Sequence, residues 1–207
     1  MSIFNLFNKS NKIGGDIGYF GLSEWWLSEF TIEERNYILK KFQPMGSEGN
    51  SLVDGEISYT SQTALGFLSG LAGWFDNEKD RKIAYRVLKK AEELINESCN
   101  IIDVHFYCMN KIKIYYKDRD KDPNALNQAI EACKKQMEIA PKVKNAFLKE
   151  FDNDPLPAHT GFEQLCIIEE KRKNFESAIN ISKIALEQGW TGDWQKRIDR
   201  CNKKLKQ

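Results

Sequence analysis

From Lys79 onward, apolar residues return every three or four positions: Ile83, Ala84, Val87, Leu88, Ala91, Leu94 and Ile95. That spacing makes one stripe on a helix from about Lys79 to Glu97, with lysine and glutamate on the opposite face. Asp76 or Asn77 can cap it. The segment Ile101 to Tyr116 differs, because its apolar residues wrap most of the way round. A helix of that kind needs cover on more than one side, so it is expected at the centre of the fold. After a turn at Lys117–Pro123, a helix carrying Leu126, Ala129, Ile130, Cys133 and Met137 begins, with Pro123 suited to its first turn. Pro141 predicts its end at Ala140. A short helix from Val143 to Phe151 leads into Asp152-Asn153-Asp154-Pro155-Leu156-Pro157, an acidic, proline-bearing candidate boundary. Two short antiparallel helices then meet at a tight turn, Arg172–Asn174. A last helix runs from about Thr191 to Leu205. No stretch alternates as a strand would, so the chain reads as all-α, with about nine helices.

The first half is less regular. Residues 1–21 are punctuated by Gly14, Gly15, Gly18 and Gly21 and read as irregular. Ser23 can cap a short helix through Phe30 that carries Trp25, Trp26 and Leu27. Thr31-Ile32-Glu33-Glu34 is a capping-box pattern, and Ile38, Leu39 and Phe42 continue that helix to Pro44. Residues 44–58 read as a long loop. From Ser61 to Phe75 a helix carries Gly66, Gly70 and Gly73. Each glycine costs about 1 kcal/mol there, so close packing against a neighbouring helix is expected. The domain reading is an N-terminal helical region, 1–76, and a helical-hairpin region, 77–207, sharing one continuous core.

Composition narrows the class. The chain has 207 residues, 41% apolar and 29% charged, with 31 Lys and Arg against 30 Asp and Glu. This fits a globular protein, and the balanced charge gives no global field toward nucleic acid or membrane. The five cysteines (Cys99, Cys108, Cys133, Cys166, Cys201) lack any Cys-x-x-Cys spacing and read as reduced thiols of a cytoplasmic protein. The start, Met1 to Lys9, has no signal-peptide pattern; its Ile3, Phe4, Leu6 and Phe7 are expected to dock on the chain's own core. No apolar run is long enough to span a bilayer.

The late hairpin resembles a tetratricopeptide repeat. Phe162 and Leu165 on its first helix, and Phe175, Ala178 and Ala185 on its second, match that family in type and spacing. Cys166, Glu169, Ser182 and Trp190 stand where Gly, Tyr, Phe and Pro are usual. A weaker copy is carried by Ile112, Tyr116, Ala129 and Pro141, so the resemblance covers about 101–190. It implies antiparallel hairpins in the C-terminal half, packed on an irregular helical N-terminal region. It also implies a non-enzymatic scaffold that grips a protein or peptide in a groove lined by first helices. The matching positions are Tyr107, Asn110, Ile114 and Lys117 from the weaker copy, with Thr160, Glu163, Ile167, Glu170 and Lys171 from the better one. Three further segments, Gly21–Trp26, Gly70–Phe75 and Gly189–Trp194, resemble a small group of bacterial and prophage-type proteins, which would imply a bacterial cytosolic setting.

Chemistry-bearing residues are sparse. His105 falls inside the apolar central helix and reads as a hydrogen-bonded core histidine. His159 opens the hairpin near Asp152 and Asp154, and no metal-ligand spacing accompanies either. The run Gly14 to Gly21 has neither the preceding strand nor the following Gly-Lys-Ser/Thr of a phosphate loop, and reads as a flexible connection. No catalytic residues, cofactor or metal are expected. The last helix offers Lys196, Arg197, Arg200, Lys203 and Lys204 as a basic patch for nucleic acid or an acidic protein, or as a solvated helix end. Trp190 and Trp194 are expected to seal the end of the hairpin stack. Alternative readings are a nucleic-acid binder using that patch, or a small-ligand or nucleotide-binding regulator with a pocket near Gly66–Gly73 and Trp25/Trp26. A homo-oligomer is compatible with all of them.

Overall fold

The computed structural model describes residues 13–44, 51–151 and 154–207. The amphipathic start at Ile3 to Phe7, Gly46, Gly49 and Asp152 lie outside the described residues. Among these residues the chain is all-helical, with ten α-helices. It divides into two units, Met1–Phe67 and Leu68–Gln207. The division falls earlier than residue 76, inside a helix.

The first unit holds α1 (Gly15–Tyr19), α2 (Ser23–Glu29) and α3 (Ile32–Lys41). The glycine run is no loose connection. Its backbone is tied down by hydrogen bonds from the Gly14, Gly15 and Ile17 N–H groups to the carbonyls of Val53, Gly55 and Leu52, at 2.8–3.0 Å. This fixes the start of α1, a helix that the four glycines concealed. Trp26 and Phe30 are buried, their rings 5.4 Å apart. The capping box forms as expected: Thr31 Oγ1 accepts from the Glu34 N–H, and Glu34 accepts from the Thr31 N–H.

Helix α4 (Ala64–Gly73) has Leu68, Leu71 and Ala72 fully buried. The expected close approach at its glycines is absent for Gly70 and Gly73. Both are exposed, and a Cβ added at either would meet nothing within 4 Å. In the second unit, α5 (Arg81–Glu93) buries one stripe, Ile83, Ala84, Val87, Leu88 and Ala91. Helix α6 (Ile101–Tyr116) is central, packing on α5, on α7 (Pro123–Glu150) and on α8 (Thr160–Lys171).

Helix α7 overturns one expectation. It runs unbroken for 28 residues through Pro141. Proline in a helix interior costs about 3 kcal/mol. The apolar stripe does not stop there, however: Ile139, Ala140, Val143 and Phe147 are buried beyond Cys133 and Gln136. At about 1.5–3 kcal/mol for each large side chain buried, the continuing stripe outweighs the proline. Pro141 itself is exposed, on the side where water can hydrate the carbonyl left free.

Helices α8 and α9 (Phe175–Gln188) form the hairpin read from sequence. Its turn needs Lys173 at φ 62°. Glu169 holds the turn, accepting from Asn174 Nδ2 at 3.0 Å through its side chain and from the Asn174 N–H at 2.9 Å through its carbonyl. Gly189, at φ 84°, ends α9, and the Trp190 N–H turns back to the Ala185 carbonyl. Helix α10 (Trp194–Leu205) lies on α9 through Ala178, Ile179, Ile198 and Cys201. Trp190 and Trp194 are buried, and Trp194 Nε1 donates to the Trp190 carbonyl at 2.6 Å.

Candidate functional site

The residues singled out for a groove do not all face solvent. Tyr107 and Ile114 are 3% and 1% exposed and belong to the core. Asn110 donates to the carbonyl and hydroxyl of Ser69 at 3.1 and 2.9 Å, and Lys117 bonds to Asp76 at 2.5 Å. Two of the four α6 positions, Tyr107 and Ile114, are therefore covered by the chain itself, while Asn110 is half-buried and Lys117 exposed. Tyr107 and Ile114 lie on the broad apolar side of α6 that packs on its neighbours, whereas Phe106, Lys113 and Lys117 follow one exposed line of the helix.

The α8 half is different. Thr160 starts the helix, Glu163 is exposed, and Ile167 and Glu170 are half-buried along the flank that meets α10. Arg200 grips Glu170 with two bonds, Nε to Oε2 at 3.1 Å and Nη2 to Oε1 at 2.9 Å. Arg197 reaches the same carboxylate at 3.5 Å and donates to the Glu163 carbonyl at 3.1 Å. Burial pushes the Glu170 carboxyl up, but the Arg200 hydrogen bonds and the charges of Arg200, Arg197 and Lys204 outweigh it and hold it below its ordinary value. The two sequence-predicted sets, groove and basic patch, thus meet along one seam. Lys204 lies 5.2 Å over the Phe175 ring, Lys196 pairs with Asp193, and Lys203 stands exposed. Lys171 extends the seam toward α6, donating to the Tyr116 hydroxyl at 3.1 Å, while Arg119 covers the same ring at 4.4 Å.

Two clefts open along this seam and share Arg197 and Arg200. One, of about 330 Å³, is lined by Ile167 and Glu170 with Lys171, Arg197, Arg200 and Lys204. Its four cations face one carboxylate. The other, of about 510 Å³, adds Glu163, Asp193 and Trp194 and the backbone of 191–192. Together they offer an elongated surface, cationic at one end and of mixed sign at the other.

The histidines form a cluster that sequence reasoning missed. His105 and His159 are 2% and 0% exposed, their rings 5.0 Å apart, and His159 lies 4.7 Å from the Trp190 ring. His159 Nδ1 accepts from the Phe162 N–H and so caps α8. Burial pushes the His105 imidazole down to about 4, and burial together with the charge of His105 pushes His159 down to about 3. Both are neutral packing groups rather than bases at neutral pH. Gln136 sits beside them, fully buried. Its amide donates to the His105 carbonyl at 2.9 Å and its oxygen accepts from the Gly161 N–H at 2.6 Å. A Cβ on Gly161 would come within 2.8 Å of that oxygen and 3.0 Å of the Cys133 carbonyl, so a larger residue would displace the Gln136 amide and press on the α7 backbone.

Among the described residues no group of three or more His, Cys, Asp or Glu is arranged to hold a metal ion, and no helix is long and apolar enough to cross a membrane. All five cysteines are free. No family model, curated protein or solved structure matches the chain.

Proposed function

We propose that α6 to α10 form a tetratricopeptide-like scaffold, without catalysis, that holds an acidic peptide or protein segment along the seam between α8 and α10. The observation that carries this is the cleft in which Lys171, Arg197, Arg200 and Lys204 surround a single carboxylate. The hold of the Arg200 fork on the Glu170 carboxylate supports a carboxylate-bearing partner, and three positive charges remain for it to neutralise. The packing of α6 on α8 across successive hairpins supports the repeat-like reading. Glu163 and Asp193 beside the arginines favour a polypeptide over nucleic acid, since a phosphate backbone would meet both carboxylates. The five free thiols suit a reducing compartment such as a bacterial cytoplasm.

The test is a fluorescence-anisotropy titration of the full chain with short acidic, neutral and basic peptides and with a single-stranded oligonucleotide. Acidic peptides bind, and Arg200→Gln with Lys204→Gln weakens them about tenfold or more, as loss of charge-assisted bonds requires. Glu170→Gln, which frees the arginines, strengthens binding several-fold. Equal binding of all three peptide classes, tighter binding of the oligonucleotide, or no effect of the double substitution would overturn the reading.

A further inference from the structure

A separate opening lies between α5, α6 and the start of α7. It is a cleft of about 340 Å³, within the range of small-ligand sites. Tyr85 and Tyr115 line it, stacked with centroids 4.3 Å apart and planes 23° from parallel. Asp118, itself held by Arg81, accepts from the Tyr85 hydroxyl at 2.6 Å and fixes that ring.

The unusual member is Lys111. It is only 6% exposed, and its ammonium lies 5.9 Å over the Tyr115 ring and 6.0 Å over that of Tyr107. It donates to both oxygens of Glu92, at 2.8 and 2.9 Å. Yet the Glu92 side chain is 54% exposed. An apolar side chain at this position would fill the same volume without desolvating a charge. Here a buried cation is held by an anion that can swing into water without loss of solvation. Tyr107 is 3% exposed, and its buried hydroxyl faces Glu92 without a hydrogen bond of good geometry. Burial, and then the charge of Glu92, hold the Tyr107 hydroxyl in its neutral form.

The remaining lining completes a pattern. Arg86 and Lys89 add positive charge from α5. Asn124 and Gln128, four residues apart on α7, share one face and offer amide groups. Amide side chains pair with the N6/N7 edge of adenine, and aromatic faces stack on bases.

We propose that this cleft binds a nucleoside monophosphate with an adenine base, its phosphate taken by Lys111 with Arg86 and Lys89 as Glu92 moves out. The base lies against the tyrosine pair, with its edge read by Asn124 and Gln128. This site is independent of the α8–α10 seam.

Isothermal titration of the full chain with AMP, UMP, adenosine and inorganic phosphate tests it. AMP binds, while adenosine and inorganic phosphate each bind about tenfold or more weakly, since each lacks half of the contacts. Lys111→Met leaves Glu92 hydrated at the surface and weakens AMP by a similar factor. Gln128→Ala, on the rim, narrows the preference for AMP over UMP and carries the test should the Lys111 variant not fold. No heat with AMP, equal binding of AMP and inorganic phosphate, or unchanged AMP binding in both variants would overturn the proposal.

Discussion

Replacing Gln136 by leucine should unfasten α6, α7 and α8 from one another at a single point. The side chain is fully buried. Its amide donates to the His105 carbonyl on α6, and its oxygen accepts from the Gly161 N–H in the first turn of α8. Leucine has a similar volume, so little cavity forms. Loss of the bond to His105 costs about 0.5–1.5 kcal/mol. The Gly161 N–H is a heavier loss. A first-turn donor has no partner inside its own helix, and this one is buried, so leaving it unsatisfied costs about 1–3 kcal/mol. The sum is about 1.5–4.5 kcal/mol, a large share of the stability of an ordinary domain. In a chain of this size it lowers the melting temperature by about 5–15 °C. Urea unfolding followed by helical circular dichroism measures it, with the urea slope unchanged, and Gln136→Met should behave alike. A loss below about 0.5 kcal/mol in both variants would show that the amide is not the clasp described here.

Three further outcomes follow from the same geometry. His105 and His159, held down to about 4 and about 3 from an ordinary 6.5, stay neutral while the unfolded chain takes up protons, so the stability they govern is level above pH 6.5 and falls as pH drops from there toward 4. Urea midpoints across that range and histidine proton resonances check this; imidazoles titrating near 6.5 in the folded protein would refute it. Burial pushes the Cys108 and Cys133 thiols up to about 12 and also raises Cys166 and Cys201, so a thiol reagent should modify half-buried Cys99 rapidly and the other four only on unfolding. Lys173→Gly relieves a left-handed residue and should stabilise the hairpin by about 0.5–1 kcal/mol net of the added chain entropy, measured by calorimetry.

Features encoded within a turn or two were legible in the sequence. The capping box at Thr31, the turn at Arg172–Asn174, the single stripe of α5 and the all-round apolarity of α6 each follow from neighbours along one helix. The helix through Pro141 was not legible, because its continuation depends on what Val143 and Phe147 bury, and local propensity carries no trace of that. The histidine cluster joins α6 to the start of α8, and Gln136, which fastens both, looks like any polar helical residue. The seam is legible in the sequence only in halves. Glu163, Ile167, Glu170 and Lys171 match a groove lining, and Arg197, Arg200 and Lys204 a basic patch. Their meeting is a tertiary fact, the Arg200–Glu170 pair being 30 residues apart. Tyr107 and Ile114 do not line a groove because they fall on the side of α6 that its neighbouring helices bury.

The bridge between Ala158 and Thr191 has a practical consequence. The Thr191 N–H reaches the Pro157 carbonyl at 3.3 Å, and its hydroxyl reaches that of Leu156 at 2.5 Å. The segments entering α8 and leaving α9 are thereby stitched together, so the hairpin is closed at both ends. A backbone cut at Lys173 would leave two fragments still joined by the stitch and by the helix interface. That turn is therefore the natural place to divide the protein into two co-expressed pieces that reassemble, with binding to the seam as the signal of their reunion.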